Sequence, residues 1–264
     1  MPNSIWKADT NFFNVTDGIM EWKVPEDNTY RITATGARGA AGGNSGGAAA
    51  VMRGDFVLIQ GEIIKILIGH TGESGGHSQG GSIGAGGGGT FVVRTPYNTN
   101  ESILVIAGGG GGGANNSWTN ANGRPALTGT TGNSGQRSNE AGGTNGSAGT
   151  MTGHSTSGAG FFGNSGDGSG SPAGTGAKSF VNGGVGARNA RSWSGPENYG
   201  GFGGGGGGGG LSGGGGGGYS GGGNGDWSSQ QAGGGGGSYN SGSNQVNVAN
   251  WTGGHGRVLI EKLS

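Results

Sequence analysis

The chain has no cysteine, so a disulfide framework and thiolate metal sites are both excluded. Charge is also scarce: charged residues make up 11% of the 264 residues, and 14 basic side chains balance 14 acidic ones. The sequence therefore lacks the basic excess that binding to nucleic acid or to an acidic membrane requires. No stretch of about 20 apolar residues occurs, and no basic segment precedes an apolar run in the first residues. We expect neither a membrane span nor a signal peptide.

Glycine is the residue that the chain has in excess. It contributes 76 of the 264 residues, roughly four times its ordinary share. Ordering so many glycines opposes folding by on the order of 100 kcal/mol. The glycines therefore form either flexible linkers that stay unordered or a regular array that only glycine can build.

The glycine runs favour the regular array. Flexible linkers usually mix glycine with serine, whereas these runs are unbroken, at 86–89, 108–113, 203–210, 213–218 and 233–237. We predict polyglycine II helices, which are extended left-handed threads with three residues per turn that pack side by side and exchange hydrogen bonds. The glycines that bound the predicted structural runs are Gly108, Gly113, Gly203, Gly210, Gly213, Gly218, Gly233 and Gly237. The apolar residues predicted to attach the runs to a core are Ile106, Phe202, Leu211, Tyr219 and Tyr239.

Alternating apolar residues predict β-strands toward both ends of the chain. Asp17-Gly18 is a typical hairpin turn. A second hairpin is predicted around Gln60-Gly61, and its near-continuous apolar residues at 56–59 and 63–68 are typical of strands covered on both faces. The strands are predicted mainly at 10–36, 54–70, 90–107 and 255–263, and the glycine-rich regions and loops at 36–50, 84–89 and 108–253. We predict an all-β fold with very little α-helix, in which a jelly-roll-type antiparallel sandwich carries an inserted polyglycine II bundle within a single domain, 1–264.

Strand motifs and glycine motifs alternate in a specific order along most of the chain. The order is MEWKVPEDNTYRITATGARGAAG, GDFVLIQGEIIKILIGHTGE, GAGGGGTFVVR, ILVIAGGGGGG, GGFGGGGGGGGLSGGGGGGYSGGGNGD and GHGRVLIEKL. This order resembles the glycine-rich extracellular domain of anaplastic lymphoma kinase and leukocyte tyrosine kinase. The resemblance implies a sandwich of the tumour-necrosis-factor type joined to a polyglycine II bundle. It also suggests a homotrimer, because such sandwiches often trimerise.

The chain departs from that family in ways that limit what the resemblance implies. It lacks the cysteines of the receptor domains and has no kinase region, so receptor signalling is not implied and no binding residue of the family transfers. The segments that differ most are 114–160 and 187–199. We expect any function peculiar to this protein there.

Patterns that carry chemistry are weak. The segment GTGAKSF lacks the glycine that a phosphate-binding loop requires directly before Lys178. His70 and His77 flank Glu73, but their spacing is not that of the helical zinc motif. Carboxylates are scattered singly, and no serine nucleophile elbow occurs in a strand-to-helix context. We predict a protein that is not an enzyme and that needs no cofactor or metal.

Aromatic residues in polar loops are the positive signal for binding. They are Trp118, Trp193, Tyr199 and Trp227. Such side chains stack on sugar rings or serve as interface anchors. The alternative is that a chain with so few large side chains uses them to seal the sandwich and to cap the glycine bundle.

These observations predict a structural or recognition protein. A neutral, cysteine-free and rigid body suits an exposed component of a virus or phage particle, acting as an adhesin or decoration protein toward other virion proteins or host-surface glycans and proteins. Its glycine-rich composition also resembles that of phage tail-fibre adhesins. The alternative is a secreted or cell-surface module that binds a protein ligand or polysaccharide. The expected location is the virion surface or the extracellular space. An ice-binding protein built on a flat polyglycine bundle would instead show regular glycine-x-x repeats, whereas the runs here are unbroken glycine.

Overall fold

A computed structural model describes residues 12–76, 82–115, 121–136, 139–169, 174–188, 198–226 and 230–263. The strands are β1 (Phe13–Thr16), β2 (Ile19–Lys23), β3 (Asn28–Thr35), β4 (Ala49–Leu58), β5 (Ile63–Leu67), β6 (Ser74–Gly76), β7 (Ser82–Gly84), β8 (Thr90–Arg94), β9 (Ile103–Ala107), β10 (Tyr239–Asn240), β11 (Ser243–Trp251) and β12 (Arg257–Lys262). Within the described ranges there is no α-helix, and two short 3-10 helices span Asn100–Ser102 and Phe180–Asn182. The predicted all-β class is confirmed.

The strands form two large antiparallel sheets and one separate hairpin. One sheet has six strands in the order β1-β2-β5-β8-β9-β10, and the other has four in the order β11-β4-β3-β12. The hairpin pairs β6 with β7. The predicted turn at Asp17-Gly18 joins β1 to β2, with φ values of 51° and 77° and Thr16 paired with Ile19. Two consecutive positive φ angles are characteristic of the tight turn that matches the twist of a hairpin.

The predicted hairpin around Gln60-Gly61 is wrong. β4 pairs with β3 and β11 in the four-stranded sheet, whereas β5 pairs with β2 and β8 in the six-stranded sheet. The turn reverses the chain but also carries it from one sheet to the other. Coverage on both faces is also wrong for the segment 56–59, because Val57 of β4 and Ile59 just after it are 72% and 65% exposed.

Other predicted strand boundaries also differ from the structure. β4 begins at Ala49, inside the region 36–50 that was assigned to glycine-rich chain. β11 lies inside the region 108–253, which was assigned to glycine-rich chain and loops. It is an edge strand of the four-stranded sheet and is largely exposed. Because its serine, asparagine and glutamine side chains have low β-propensity and few residues need burial, the sequence signal is weak.

The facing surfaces of the two sheets form the main hydrophobic core. The ring of Trp22 meets the ring of Tyr30 edge-on at a centroid distance of 5.4 Å. The large, fully buried side chains here include Trp22, Tyr30, Ile32, Met52, Leu58 and Ile64. These side chains come from both sheets, so the fold is a β-sandwich.

The outer face of the six-stranded sheet is covered by aromatic side chains from the glycine-rich chain. Phe91 of β8 stacks on Phe180 at 5.1 Å, and Phe180 stacks on Phe161 at 5.2 Å. Ile106 and Tyr219 are buried in this cluster, and Phe202 and Tyr239 pack against it. The predicted attachment of the glycine runs is therefore confirmed at these four positions. It is wrong for Leu211, which has φ 72° in a turn between two runs.

Three connections leave the sandwich at the same end and build the glycine bundle. They join β3 to β4, β5 to β8, and β9 to β10. Successive N–H groups of one run bond to different neighbours: those of 109 and 112 reach the carbonyls of 217 and 214, those of 110 and 113 reach 37 and 40, and that of 111 reaches 124. Hydrogen bonds between threads with a period of three are those of polyglycine II packing. The run 203–210 is a shorter thread than predicted, because Gly203, Gly204 and Gly210 have positive φ.

Interior and surface threads differ in composition. All glycines of 108–113, 213–218 and 233–237 are buried, and a Cβ atom on Gly111 would overlap the carbonyl oxygen of Gly233. In a surface thread every third residue points outward, as with Thr175 and Lys178, which are exposed between buried neighbours. The thread through Asn122, Pro125 and Thr128 has the same spacing of exposed residues. Part of the segment 114–160 is therefore surface thread, which the sequence analysis did not recognise.

Candidate functional site

The distal end of the glycine bundle, defined as the end opposite the sandwich, gathers turns from many threads. It contains the turn at 42–44, the β6–β7 hairpin, the turn at 209–212 and the described residues at 225–226 and 230–231. The hydroxyl of Ser74 donates to the carbonyl of Ala41 at 2.6 Å, and the amide of Asn115 donates to the carbonyl of Leu211 at 3.4 Å. Segments far apart in the sequence thus meet at one surface.

Buried amide and hydroxyl side chains hold these turns in place. The Asn198 side chain donates to the carbonyl of Ile83 at 2.9 Å and accepts from the amide of Gly208 at 3.2 Å. The Asn224 side chain donates to the carbonyls of Thr152 and Ser155 at 2.7 and 2.9 Å. Polar atoms buried with partners are stabilising, whereas the same atoms without partners would be costly. We interpret these residues as the scaffold of the distal end.

Tyr199 is the candidate binding residue that lies within the described chain. It is 38% exposed at the distal end. Its backbone pairs with Arg188, and its carbonyl accepts from the amide of Glu73 at 2.9 Å. These contacts hold the backbone of Tyr199 between two threads while part of the side chain stays open to solvent.

The three candidate tryptophans, Trp118, Trp193 and Trp227, lie outside the described residues. The described residues that flank them in the chain lie at the distal end: Asn115 and Ala121, Arg188 and Asn198, and Asp226 and Gln230. Hydrogen bonds join the described residues on the two sides of a candidate tryptophan, from the amide of Ala114 to the carbonyl of Ala121 at 3.0 Å and from the amide of Gln231 to the carbonyl of Asp226 at 3.0 Å. The described residues on both sides of each candidate tryptophan are therefore brought toward one end of the bundle. The sequence did not indicate this convergence.

Both ends of the described chain lie at the opposite end of the molecule. Arg257 of β12 pairs with Thr35 beside the bundle, and Lys262 pairs with Tyr30 away from it. The amide of Leu263 donates to the carbonyl of Thr29 at 2.9 Å, beyond that pair. At the start of the described chain the carbonyl of Phe12 accepts from the amide of Lys23 at 2.9 Å. The sandwich therefore lies between these two described residues and the bundle with its distal turns.

The outer face of the four-stranded sheet is a second exposed surface. Val246, Val248 and Leu259 are 45%, 41% and 53% exposed there. The guanidinium of Arg257 lies over the ring of Trp251 at 4.5 Å from its centroid. The sequence analysis did not identify this pair, because the exposed edge strand β11 was not predicted.

A partly buried ion pair stabilises the same sheet. Arg31 donates two hydrogen bonds to the carboxylate of Asp55, at 2.8 and 2.9 Å, and the Asn244 side chain donates a third at 3.0 Å. These bonds favour the ionised carboxylate, and those from Arg31 contribute most. They lower the pKa of Asp55 from 3.8 to about 2.

The histidines are arranged differently from the sequence pattern. His70 faces His255, with ring centroids 4.9 Å apart, while His77 lies outside the described residues. Within the described chain no cluster of three or more histidine and carboxylate side chains has a geometry that suits a metal ion. The described residues also contain no helix long and apolar enough for a membrane crossing.

No protein-family model matches this chain.

Proposed function

We propose that the protein is a non-enzymatic structural and recognition protein, an adhesin or decoration protein exposed on a virus or phage particle. The distal end of the bundle is its contact surface, and the sandwich is its attachment end. The observation that carries this proposal is the separation between the two ends. The first and last described residues, Phe12 and Leu263, lie at the end of the sandwich away from the bundle, while turns from all three glycine-rich connections meet at the distal end.

The bundle has the physical properties of a rigid support. Its interior backbone groups are bonded to neighbouring threads, as with the amides of Gly109 and Gly216, which donate to Gly217 and Gly234 at 2.8 Å. A preorganised support lowers the entropy that a loop loses on binding. Variation of the distal turns leaves the interior threads unchanged, which is the arrangement that a protein meeting variable host surfaces requires.

The ligand in this proposal is a host-surface glycan or protein. Tyr199 and the three candidate tryptophans provide flat apolar rings that stack on sugars or fill pockets in a partner. Asparagine and serine side chains near these positions add hydrogen-bonding groups without charge. The remaining contacts, at the sandwich, are with other virion proteins.

Alanine substitutions test the contact surface. We expect Trp118→Ala, Trp193→Ala, Tyr199→Ala and Trp227→Ala, made separately and together, to weaken binding to host cells or a host-glycan array while thermal unfolding is unchanged. Trp251→Ala on the outer sheet face is the matched control, and it should retain binding. Loss of binding in the control with full binding in the distal variants would refute this assignment.

The motif order that resembles the receptor domains favours a second candidate function. In that case the protein is a secreted or cell-surface module that binds a protein ligand or polysaccharide, and a homotrimer is the expected assembly. Mass spectrometry of purified particles distinguishes the two. Fixed stoichiometry with a capsid or tail protein supports the virion role, and absence from particles supports the secreted module. Analytical ultracentrifugation tests the trimer.

A further inference from the structure

Two histidines meet where the sandwich joins the glycine bundle. His70 follows β5, and His255 precedes β12. Their ring centroids are 4.9 Å apart with an interplanar angle of 58°. We call His70 and His255 the histidine pair.

The pair is surrounded by backbone contacts between the two parts of the molecule. The amide of His70 donates to the carbonyl of Phe202 at 2.9 Å, and its carbonyl accepts from the amide of Gly88 at 2.9 Å. The ring of Phe202 meets the His70 ring edge-on at 6.1 Å. The amide of Gly256, next to His255, donates to the carbonyl of Gly69 at 2.8 Å. The two imidazoles therefore lie beside backbone hydrogen bonds that join the sandwich to the bundle.

A hydrogen bond determines the protonation form of His255. The backbone amide of Thr71 donates to Nδ1 of His255 at 3.1 Å. Because Nδ1 accepts this bond, the neutral ring carries its proton on Nε2. An imidazolium carries a hydrogen on both nitrogens, so protonation turns Nδ1 into a donor facing another donor. The same bond opposes a metal at Nε2, where the neutral ring has no free lone pair.

Among the described residues, no ion pair supplies a compensating negative charge to the histidine pair. The charged residues on the adjoining segments are Arg38, whose amide donates to the carbonyl of Gly254 at 2.9 Å; Arg257, which lies over Trp251; and Glu73, whose amide bonds to Tyr199. Burial, and then the neighbouring charge of His255, lower the pKa of His70 below 6.5.

We propose that the histidine pair is an acid-sensitive latch between the sandwich and the glycine bundle. When both rings are neutral, the Thr71 bond forms and the rings pack together. A proton on Nδ1 is incompatible with the Thr71 bond, and a charge on both rings places two like charges on exposed side chains whose centroids are 4.9 Å apart. The junction then opens locally while both parts stay folded. This inference concerns the body of the protein and is independent of the proposed binding surface.

The sign of the pH dependence follows from linkage. The open state binds a proton on His70 more readily than the closed state does, since the pKa of His70 is lowered in the closed state. Above pH 6.5 both states are neutral, and the latch has its full stability. The stability is lost as the pH falls below 6.5 through the lowered pKa of the closed state.

Hydrogen exchange of the full chain at pH 8 to 5 tests the latch. We expect exchange of residues 69–74, 201–205 and 253–257, corrected for intrinsic rates, to rise by about tenfold for each unit by which the closed state lowers the pKa of His70. His255→Asn should remove this rise, because its side-chain oxygen accepts the Thr71 bond without titrating. His154→Gln is the control at the distal end and should behave as the parent chain does.

A measurement on the unmodified protein covers the case in which His255→Asn does not fold. Proton and nitrogen NMR should show the Thr71 amide shifting with the same midpoint as the His70 imidazole, below pH 6.5. A His70 midpoint at or above 6.5, or a Thr71 amide that does not respond between pH 5 and 8, would overturn the proposal. So would an equal rise in exchange in the parent chain and in His255→Asn.

Discussion

The sandwich and the glycine bundle bury opposite parts of the chain. In the sandwich, large side chains such as Trp22 and Met52 fill the space between two sheets. In the bundle, threads approach until a single Cβ atom would overlap a neighbouring carbonyl, as at Gly111. Removing atoms therefore weakens the first region, and adding atoms weakens the second. The interior of the sandwich is filled by large side chains, whereas the interior of the bundle is filled by closely packed backbone that has no side chains.

The aromatic cluster joins these two kinds of interior. Phe161 and Phe180 come from the glycine-rich chain, and their side chains pack against strands of the six-stranded sheet. The hydroxyl of Tyr219 donates to the side chain of Asn100 at 2.9 Å, which satisfies its polar group at the edge of the cluster. A bundle that lacks large side chains is thus anchored through the few that it has.

The largest effect is expected from removing a core side chain of the sandwich. Trp22→Ala should reduce the free energy of unfolding by about 3–5 kcal/mol, because it removes buried area and leaves a cavity. Val57→Ala is the control, since Val57 is 72% exposed, and it should change stability by less than about 0.5 kcal/mol. Denaturant unfolding measures both. Similar losses in the two variants would show that this face of the sandwich is not a packed core.

The next effect comes from adding one methyl group to an interior thread. Gly111→Ala should cost about 3 kcal/mol, at the upper end of overpacking effects, because backbone rather than a flexible side chain occupies the space. Gly129→Ala is the control, because a Cβ there meets nothing within 4 Å. It should be neutral or stabilise the protein by about 0.4–1 kcal/mol through the unfolded state. Equal stability of the two variants would contradict the side-by-side packing of the threads.

A smaller difference in stability is expected between substitutions at inward and outward positions of one surface thread. Ala177 is buried, whereas Lys178 next to it is exposed. Ala177→Val should cost about 1–3 kcal/mol through overpacking. Lys178→Ala should stay within about 0.5 kcal/mol. Thermal unfolding of the pair tests which of the two positions faces the bundle, and the reverse ranking would refute the assignment.

The smallest expected effect is a pH dependence of the free energy of unfolding, and it comes from a carboxylate of the sandwich. The pKa of Asp55 is about 2 in the folded protein, against an ordinary value of 3.8, chiefly because Arg31 bonds to its ionised form. Its stabilising contribution is complete above pH 3.8 and is lost as the pH falls through about 2. Urea unfolding at pH 5 to 2 should show this loss, and Asp55→Asn should remove it. Glu21→Gln, in an exposed pair with Lys65, is the control and should keep the parent profile.

Local signals in the sequence were reliable where short-range chemistry decides the structure. The Asp17-Gly18 hairpin was predictable because the turn requires positive φ at both positions. The Gln60-Gly61 turn was equally visible, but its strands join different sheets. Turn chemistry reverses a chain without specifying its partners, and the pairing of β4 with β3 depends on Phe56 and Leu58 facing the other sheet.

The candidate site was predictable only in part. Aromatic residues in polar loops could be found by inspection, and Tyr199 is exposed at the distal end as a binding residue requires. Leu211 was assigned to a core because it is apolar, yet it lies in a distal turn. The Trp251–Arg257 stack and the histidine pair join residues whose neighbours in sequence gave no indication of contact.

The sequence by itself determined the all-β class, the absence of disulfides and the location of the unbroken glycine runs. These properties follow from composition and from spacing within a few residues, where sterics and turn geometry act. The tertiary structure alone decided which threads are interior, which sheet each strand joins and which turns meet at the distal end. These outcomes depend on contacts between residues far apart in the chain. An interior thread needs neighbours on every side, and no stretch of one chain specifies its neighbours.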